Sequence, residues 1–211
     1  MITALQHISG ILPAWTRCGG ARIIVMKPST HLRPVGPALP GRILDWVALV
    51  ERLRDGDRES LREHFQSLDH DDRRLRFGLP VGDDHVDRYV DNIRFDGSHV
   101  YGVRRGPREW LGIGHLIVGE QDAELGLSVL PDARGKGLGA AIFRYAVAQA
   151  SRDGVRRLYM HFLTTNRAIV SIARSAGMSI DSSGGESDGY LVVPSQRELV
   201  QGLIVEASAA A

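Results

Sequence analysis

The chain has 211 residues, 43% of them hydrophobic and 24% charged, and a formal net charge of +1. This length fits one folded domain with an extension, and the composition is that of an ordinary globular protein. The near-neutral charge gives no electrostatic case for nucleic acid or an anionic membrane, and the single cysteine, Cys18, excludes an internal disulfide and a cysteine-based zinc site. We therefore expect a cytoplasmic protein with no metal site, no nucleic-acid partner and no membrane span.

The first 41 residues differ from the rest in composition. Four prolines lie between positions 28 and 40 and interrupt any regular element, and the first acidic residue is Asp45. We expect residues 1–41 to be a disordered extension, residues 42–205 to be the folded domain, and residues 206–211 to be a frayed tail. Translation from Met26 is an alternative that stays open.

The first elements of the folded part are a strand and a helix. Residues 46–50 are apolar and predict a strand. Leu61, Phe65 and Leu68 then fall on one face of a predicted helix, with Asp57 as its candidate N-cap.

A second helix and a hairpin follow. The helix is predicted from four apolar residues: Val86, Tyr89, Val90 and Ile93. Asp83 or Asp84 is its candidate N-cap. Two strand-like runs come next, at residues 100–104 and 110–118, joined by a turn at 105–107.

The second half of the chain alternates strands and helices. A strand over 124–129 precedes a helix whose apolar face is Ile142, Phe143, Ala146, Val147 and Ala150. Residues 157–163 predict the next strand, and Asn166 begins another helix. A Ser/Gly-rich turn over 181–189, a final strand over 190–194 and a short amphipathic helix over 199–204 complete the chain.

The glycine-rich turn between the strand at 124–129 and its helix indicates an anion site. It reads Arg-Gly-Lys-Gly-Leu-Gly over residues 134–139. Glycines let backbone N–H groups approach phosphate oxygens, and a helix N-terminus adds unpaired donors and a partial positive charge. Arg134 and Lys136 add full charges, so the segment predicts a phosphate site.

Spacing separates three kinds of phosphate loop. A P-loop is excluded because Gly137 follows Lys136, where a hydroxyl residue is needed for magnesium. The dinucleotide fingerprint is matched loosely by Gly135, Gly137 and Ala140, but the next strand ends in Thr-Thr-Asn at 164–166 without the acidic residue that holds the ribose. The third pattern is Arg/Gln-x-x-Gly-x-Gly/Ala.

That third pattern is met by Arg134, Gly137 and Gly139, with Val129 and Pro131 upstream. It resembles the coenzyme A pyrophosphate loop of the GCN5-related N-acetyltransferases, or GNAT family. The segment 166–178, Asn-started and ending in Ala-Gly-Met, is similar to the next element of that family. The resemblance covers residues 61–194 and implies an α/β fold with a central mixed, mostly antiparallel sheet, flanked by helices, whose strands splay around acetyl-CoA.

Residues 61–77 carry a narrower resemblance. They are similar to the first helix and following loop of bacterial Pat-type protein-lysine acetyltransferases, in which a leucine-serine, serine-arginine and arginine-phenylalanine pattern recurs. Asp69 and Asp72 stand where serines are more usual. An exposed helix end of mixed charge explains the same residues.

The GNAT resemblance implies acetyl-CoA as co-substrate and a binding site made mostly of backbone. The pantetheine arm is expected to pair with Leu127 and Val129 like an added strand. The pyrophosphate is expected on the N–H groups of residues Arg134, Gly135, Lys136, Gly137, Leu138, Gly139 and Ala140. Asn166 is expected first as a helix N-cap and second as a pantetheine contact.

The resemblance also implies Glu124 as the general base that takes a proton from the amine. A partly buried carboxylate has its pKa raised toward neutrality, which suits this role. His115 and His161 are alternatives on apolar strands. Many family members carry a tyrosine acid seven residues after the asparagine, but that position is Ala173. Tyr159 is a weaker substitute.

The expected function is transfer of an acetyl group from acetyl-CoA to a primary amine. A protein lysine and a small amine both remain open as acceptor, as does the oligomeric state. Ala173 also motivates a different class, an acyl-CoA-binding sensor without turnover. A dinucleotide-binding oxidoreductase is the third hypothesis, and the absent ribose acid counts against it.

Overall fold

The computed structural model describes residue 47 and residues 49–199. The predicted extension over 1–41 and tail over 206–211 lie outside the described residues. The strands are β1 (Glu51–Arg52), β2 (Ser98–Arg105), β3 (Glu109–Val118), β4 (Asp122–Val129), β5 (Arg157–Leu163), β6 (Ser179–Ser183) and β7 (Glu186–Val192). The main helices are α1 (Arg58–Gln66), α2 (His70–Phe77), α3 (Asp83–Asp91), α4 (Leu138–Arg152) and α5 (Arg167–Ser175).

The strands form one seven-stranded sheet in the order β1-β2-β3-β4-β5-β7-β6. β4 and β5 are parallel, and every other neighbouring pair is antiparallel. The predicted mixed, mostly antiparallel sheet is therefore confirmed. The parallel pair is joined through α4, which gives the chain the crossover that two parallel strands require.

Helices cover the two faces of the sheet unequally. Side chains alternate between faces along a strand, so Leu125 and Leu127 pack under α4 and α5 in one core. On the opposite face α1, α2 and α3 cover β2, β3 and β4 in a second core that includes Phe65 and Phe77. Within the described residues, no helix is long and apolar enough to cross a membrane.

Four element predictions are wrong, three of them in the first half of the chain. Residues 46–50 do not form the predicted strand where the structure describes them, because Val47 is helical and Leu49 lies in a turn. The predicted loop after Leu68 contains α2, which Asp69 caps by accepting a hydrogen bond from the Asp72 N–H at 2.8 Å. The N-cap of α3 is Gly82, with Asp83 and Asp84 in its first turn.

The fourth error concerns the Ser/Gly-rich segment before the last strand. Residues 181–189 are not one turn but most of a β6–β7 hairpin, which turns at Gly184 and Gly185 with φ of +62° and +93°. The hairpin lies at the edge of the sheet and exposes most of its side chains. Because no apolar alternation is required there, its strands carry no sequence signal of their own.

Candidate active site

A gap opens in the middle of the sheet where β4 and β5 part. Their parallel pairing ends at Glu124 and Tyr159 after three residue pairs. The Leu130 N–H donates to Leu111 O on β3 at 2.8 Å. Because backbone groups alternate sides along a strand, those of Leu127 and Val129, beyond the last parallel pair, point the other way, into the gap. The gap therefore presents a row of strand-edge donors and acceptors.

The glycine-rich loop lies at the far end of this row. Gly135 and Gly137 have φ of +70° and +84°, and Gly137 is the N-cap of α4. The first bond of that helix runs from the Ala141 N–H to Gly137 O at 3.0 Å. The N–H groups of Leu138, Gly139 and Ala140 thus precede the helical ladder, the arrangement that binds anions.

Gly139 also lies close to two neighbouring elements. Its φ is not positive, but a Cβ there would lie 3.1 Å from Ile172 Cδ1 and 3.5 Å from Val129 Cγ2. The residue therefore permits close packing of α4 on α5 and β4.

The two basic side chains of the loop contact the protein itself. The Arg134 Nε donates to Val129 O at 3.0 Å, and its Nη2 lies 2.6 Å from Asp72 Oδ2. The Lys136 Nζ donates to Asp132 O at 2.8 Å. Both cations thus stay beside the loop, and Asp72 links α2 to it.

Two positions of α5, Asn166 and Ala173, bear on the predicted site. Asn166 is the helix N-cap, since its Oδ1 accepts a hydrogen bond from the Ile169 N–H at 3.2 Å. Ala173 is fully buried in the core and has no proton to donate. The tyrosine acid of many family members therefore has no counterpart at this position.

A cavity lies at the end of the gap nearest to Glu124 and is lined by all three candidate bases. It is lined by Leu75, Arg76, Tyr89, His115, Ile117, Glu124, Leu125, Gly126, Leu127, Met160, His161, Phe162 and Ile169. Burial raises the pKa of the Glu124 carboxyl above its ordinary value of 4.5, and the charges of Arg76 and His161 offset part of that increase. A carboxylate with a raised pKa is suited to accept a proton near neutral pH.

His115 belongs to a directional chain of hydrogen bonds. Ser98 Oγ donates to Arg94 O at 2.7 Å, so it accepts from His115 Nε2 at 3.0 Å. The other ring nitrogen, Nδ1, then accepts from the Tyr89 hydroxyl at 2.7 Å, and Tyr89 accepts from Arg76 Nη2 at 2.8 Å. Burial lowers the pKa of His115 to about 3, so the imidazole is neutral and serves this chain.

Of the other two candidates, His161 lines the cavity and brings two carboxylates to its rim, whereas Tyr159 is not among the lining residues. His161 Nδ1 is 2.8 Å from Asp188 Oδ1, and its Nε2 is 3.8 Å from Glu186 Oε2. Tyr159 contacts the Tyr190 ring, with 6.5 Å between centroids, and burial raises the pKa of its hydroxyl. The rim therefore carries carboxylates, while Tyr159 packs beside another strand aromatic.

Arg76 is the cavity residue that the sequence did not reveal. A Cβ placed on Gly126 would lie 2.6 Å from Arg76 Nη2, so the guanidinium rests on the backbone of β4. A glycine inside a predicted strand often marks such a close approach, so Gly126 is the signal that could have indicated it. The sequence could not say which side chain makes the approach, because 50 residues separate the two.

The sequence and the fold agree on one family. A family model described as acetyltransferase (GNAT) family matches residues 50–178. The chain belongs to this family, whose members use acetyl-CoA as co-substrate. No curated protein matches the chain by sequence.

Solved structures with the same fold include a GNAT domain and two N-acetyltransferases. The GNAT domain of S. lividans PAT has a TM-score of 0.59 and 18% identity over 68% of this chain and 89% of that one. Spermidine N-acetyltransferase from Vibrio cholerae, in complex with CoA and spermine, has a TM-score of 0.55 and 16% identity over 68% and 94%. Ribosomal-protein-alanine N-acetyltransferase from Brucella melitensis has a TM-score of 0.55 and 17% identity over 68% of this chain and 99% of that one.

Proposed function

We propose that this chain transfers the acetyl group of acetyl-CoA to a primary amine, with Glu124 as general base. The observation that carries the proposal is the position of Glu124. It lies where β4 and β5 part, in the cavity at one end of a row of strand-edge backbone groups. The other end of the row is the glycine loop, where Arg134 already donates to Val129 O. A long substrate can run along this row from the loop to the carboxylate.

The backbone geometry supports acetyl-CoA as the donor. Leu127 and Val129 offer strand-edge groups to the pantetheine amides, as a paired strand would. The N–H groups of residues 135–140 offer donors to the pyrophosphate, whereas the Arg134 N–H already donates to Pro131 O. The side chains of Arg134 and Lys136 supply charge beside them. The residues present therefore fit the co-substrate that the family uses.

The reaction needs one strong proton acceptor. The ammonium first loses one proton to water, and the neutral nitrogen then forms a bond to the carbonyl carbon of the thioester. A second proton passes from the nitrogen to Glu124, and the C–S bond breaks with its electron pair leaving on sulfur. A thiol has a pKa of about 8.5, so the thiolate is a tolerable leaving group without an acid. Ala173, which stands at the position of the usual tyrosine acid, is consistent with a reaction that needs no acid.

The acceptor is expected to arrive as a cation. Asp188 and Glu186 at the cavity rim, with His161 between them, favour an ammonium group over an anion. The Pat-type resemblance over 61–77 favours a lysine on a protein as the acceptor. A small amine is the alternative, and the Vibrio cholerae relative is named for one.

The test combines acetyl-CoA binding by calorimetry with thiol release on a panel of lysine peptides and polyamines. We expect Glu124→Gln to lower kcat by about 10²- to 10⁴-fold, the usual contribution of a general base, without changing the affinity for acetyl-CoA. Glu120→Gln is the matched control, because Glu120 is exposed four residues upstream. Gly137→Glu should abolish binding.

Three results would count against the proposal. Unchanged turnover in Glu124→Gln would remove the catalytic assignment of that residue. Binding without turnover across the whole panel would favour the acyl-CoA sensor. Absence of acetyl-CoA binding by the wild type would remove the proposed site altogether.

A further inference from the structure

We propose that Arg76 is a second catalytic residue, whose guanidinium donates to the thioester carbonyl oxygen and stabilises the negative charge that develops there during attack. The proposal rests on the proposed acetyl transfer and deepens it. In this assignment Glu124 accepts the proton of the amine, and Arg76 stabilises the negative charge on the carbonyl oxygen.

The position of Arg76 along β4 is the first argument. Its Nη2, Cζ and Nη1 lie 2.6, 2.7 and 2.8 Å from the place of a Cβ on Gly126. Gly126 lies between Leu127, where the pantetheine arm is expected, and Glu124. A strand advances about 3.3 Å per residue, so the reacting carbonyl has only the stretch beside Gly126 to occupy.

The donors of Arg76 are largely uncommitted. Among the described residues its one hydrogen bond runs from Nη2 to Tyr89, and it forms no ion pair with any of their carboxylates. Its buried Nε has no partner. A guanidinium carries five N–H groups, so donors remain for a substrate oxygen in the cavity that Arg76 lines.

The side chain is also held in place. Its guanidinium carbon lies 5.0 to 5.5 Å from the ring centroids of Phe65, Phe77 and Tyr89. The hydrogen-bond chain through His115 and Ser98 fixes the Tyr89 hydroxyl that anchors Nη2. A donor fixed before the reaction stabilises developing charge without having to reorganise.

The sign of the charge selects the acetyl group over the acceptor. A cation in this cavity repels an ammonium and attracts a developing oxyanion. It also favours the neutral, nucleophilic form of a nearby amine. Both effects assist the attack, whereas neither assists binding of a cationic acceptor.

The experiment compares two ligands that differ at the carbonyl. S-ethyl-CoA has a methylene group where acetyl-CoA has the carbonyl. We expect the wild type to bind acetyl-CoA about tenfold more tightly, corresponding to about 1.4 kcal/mol, and Arg76→Met to lose this preference. We expect kcat to fall about 10²- to 10³-fold with the acceptor KM unchanged.

Arg74→Met is the matched control, because Arg74 is an exposed arginine on the same helix. It should keep both the preference and kcat. Tyr89→Phe keeps the ring and removes the hydroxyl that anchors Nη2, so it should lose part of the preference even if Arg76→Met does not fold.

Two results would overturn the assignment while leaving the proposed acetyl transfer intact. One is an unchanged preference for acetyl-CoA in both Arg76→Met and Tyr89→Phe. The other is a rise in acceptor KM confined to amines that carry a carboxylate, which would make Arg76 an acceptor-binding residue. Failure of the wild type to bind acetyl-CoA would instead remove the proposed function itself.

Discussion

Gly137 adopts a φ of +84° at the N-cap of α4, a conformation that disfavours any residue with a Cβ. We expect Gly137→Ala to lower the free energy of unfolding by about 1 kcal/mol and to weaken acetyl-CoA binding. The binding loss follows because relief of the strain moves the N–H groups that precede the helical ladder. Calorimetry and urea unfolding on the same samples measure the two effects.

Gly154 provides the control, since it has a φ of +75° in the turn after α4, with open space around its Cβ position. Gly154→Ala should destabilise the protein by a similar amount and leave acetyl-CoA binding intact. Equal binding losses in both variants would show that general destabilisation, and not the loop, causes the effect.

Single residues were predictable from the sequence where their chemistry is local. The positive φ of Gly137 follows from the loop pattern, and the capping role of Asn166 follows from its place before an apolar helix. Arg76 was not predictable, because its function depends on a contact with β4 that only the folded chain creates. The role of Asp72 was not predictable for the same reason, because its ion pair with Arg134 joins two segments that are distant in the sequence.

Among the elements, α1 carries a buried histidine that forms hydrogen bonds to both β3 and β4. His64 Nδ1 donates to Trp110 O at 2.6 Å, because a carbonyl can only accept, and Nε2 accepts from Ser128 Oγ at 2.8 Å. Both nitrogens of the neutral ring are therefore used. Burial lowers the pKa of His64 from 6.5 to about 4, and the Arg76 charge adds to that decrease.

This lowered pKa makes the attachment of α1 sensitive to acid. Between pH 6.5 and about 4 the unfolded chain binds a proton at His64 that the folded chain does not, so stability falls as pH falls. We expect the step from pH 7 to pH 5 to remove about 2 kcal/mol through this residue. Urea unfolding should show a pH dependence smaller by that amount in His64→Gln.

His70 is the control for this titration, because its side chain is 73% exposed on the neighbouring helix. His70→Gln should keep the pH dependence of the wild type. If His64→Gln also keeps it in full, another group controls the acid sensitivity.

The strength of the local signal decided which elements the sequence revealed. β3, β4 and α4 have long apolar periods and were predicted nearly to their ends. α2 was missed because its eight residues include six charged or histidine side chains, and Asp69 with the left-handed Gly78 defines its ends. The β6–β7 hairpin was missed because an exposed edge needs no apolar alternation.

At the scale of the whole molecule, the sheet consists of two parts joined at one end. β1 to β4 form one part, β5 to β7 form the other, and three residue pairs between β4 and β5 join them. Sequence patterns predicted β2 to β5 but not where the pairing of β4 and β5 stops, because that depends on contacts between residues far apart in the chain. A ligand lying in the gap would complete the backbone pairing of β4.

That completion predicts a change in hydrogen exchange confined to alternate residues. In the free protein the N–H groups of Leu127 and Val129 point into the gap, whereas those of Gly126 and Ser128 point toward β3. Acetyl-CoA should therefore slow exchange at Leu127 and Val129 and leave Gly126 and Ser128 nearly unchanged, as measured by NMR. In Gly137→Glu the slowing should disappear. Equal slowing at all four amides would mean that the ligand stabilises the whole sheet without pairing to β4, and the strand-like pantetheine site would be wrong.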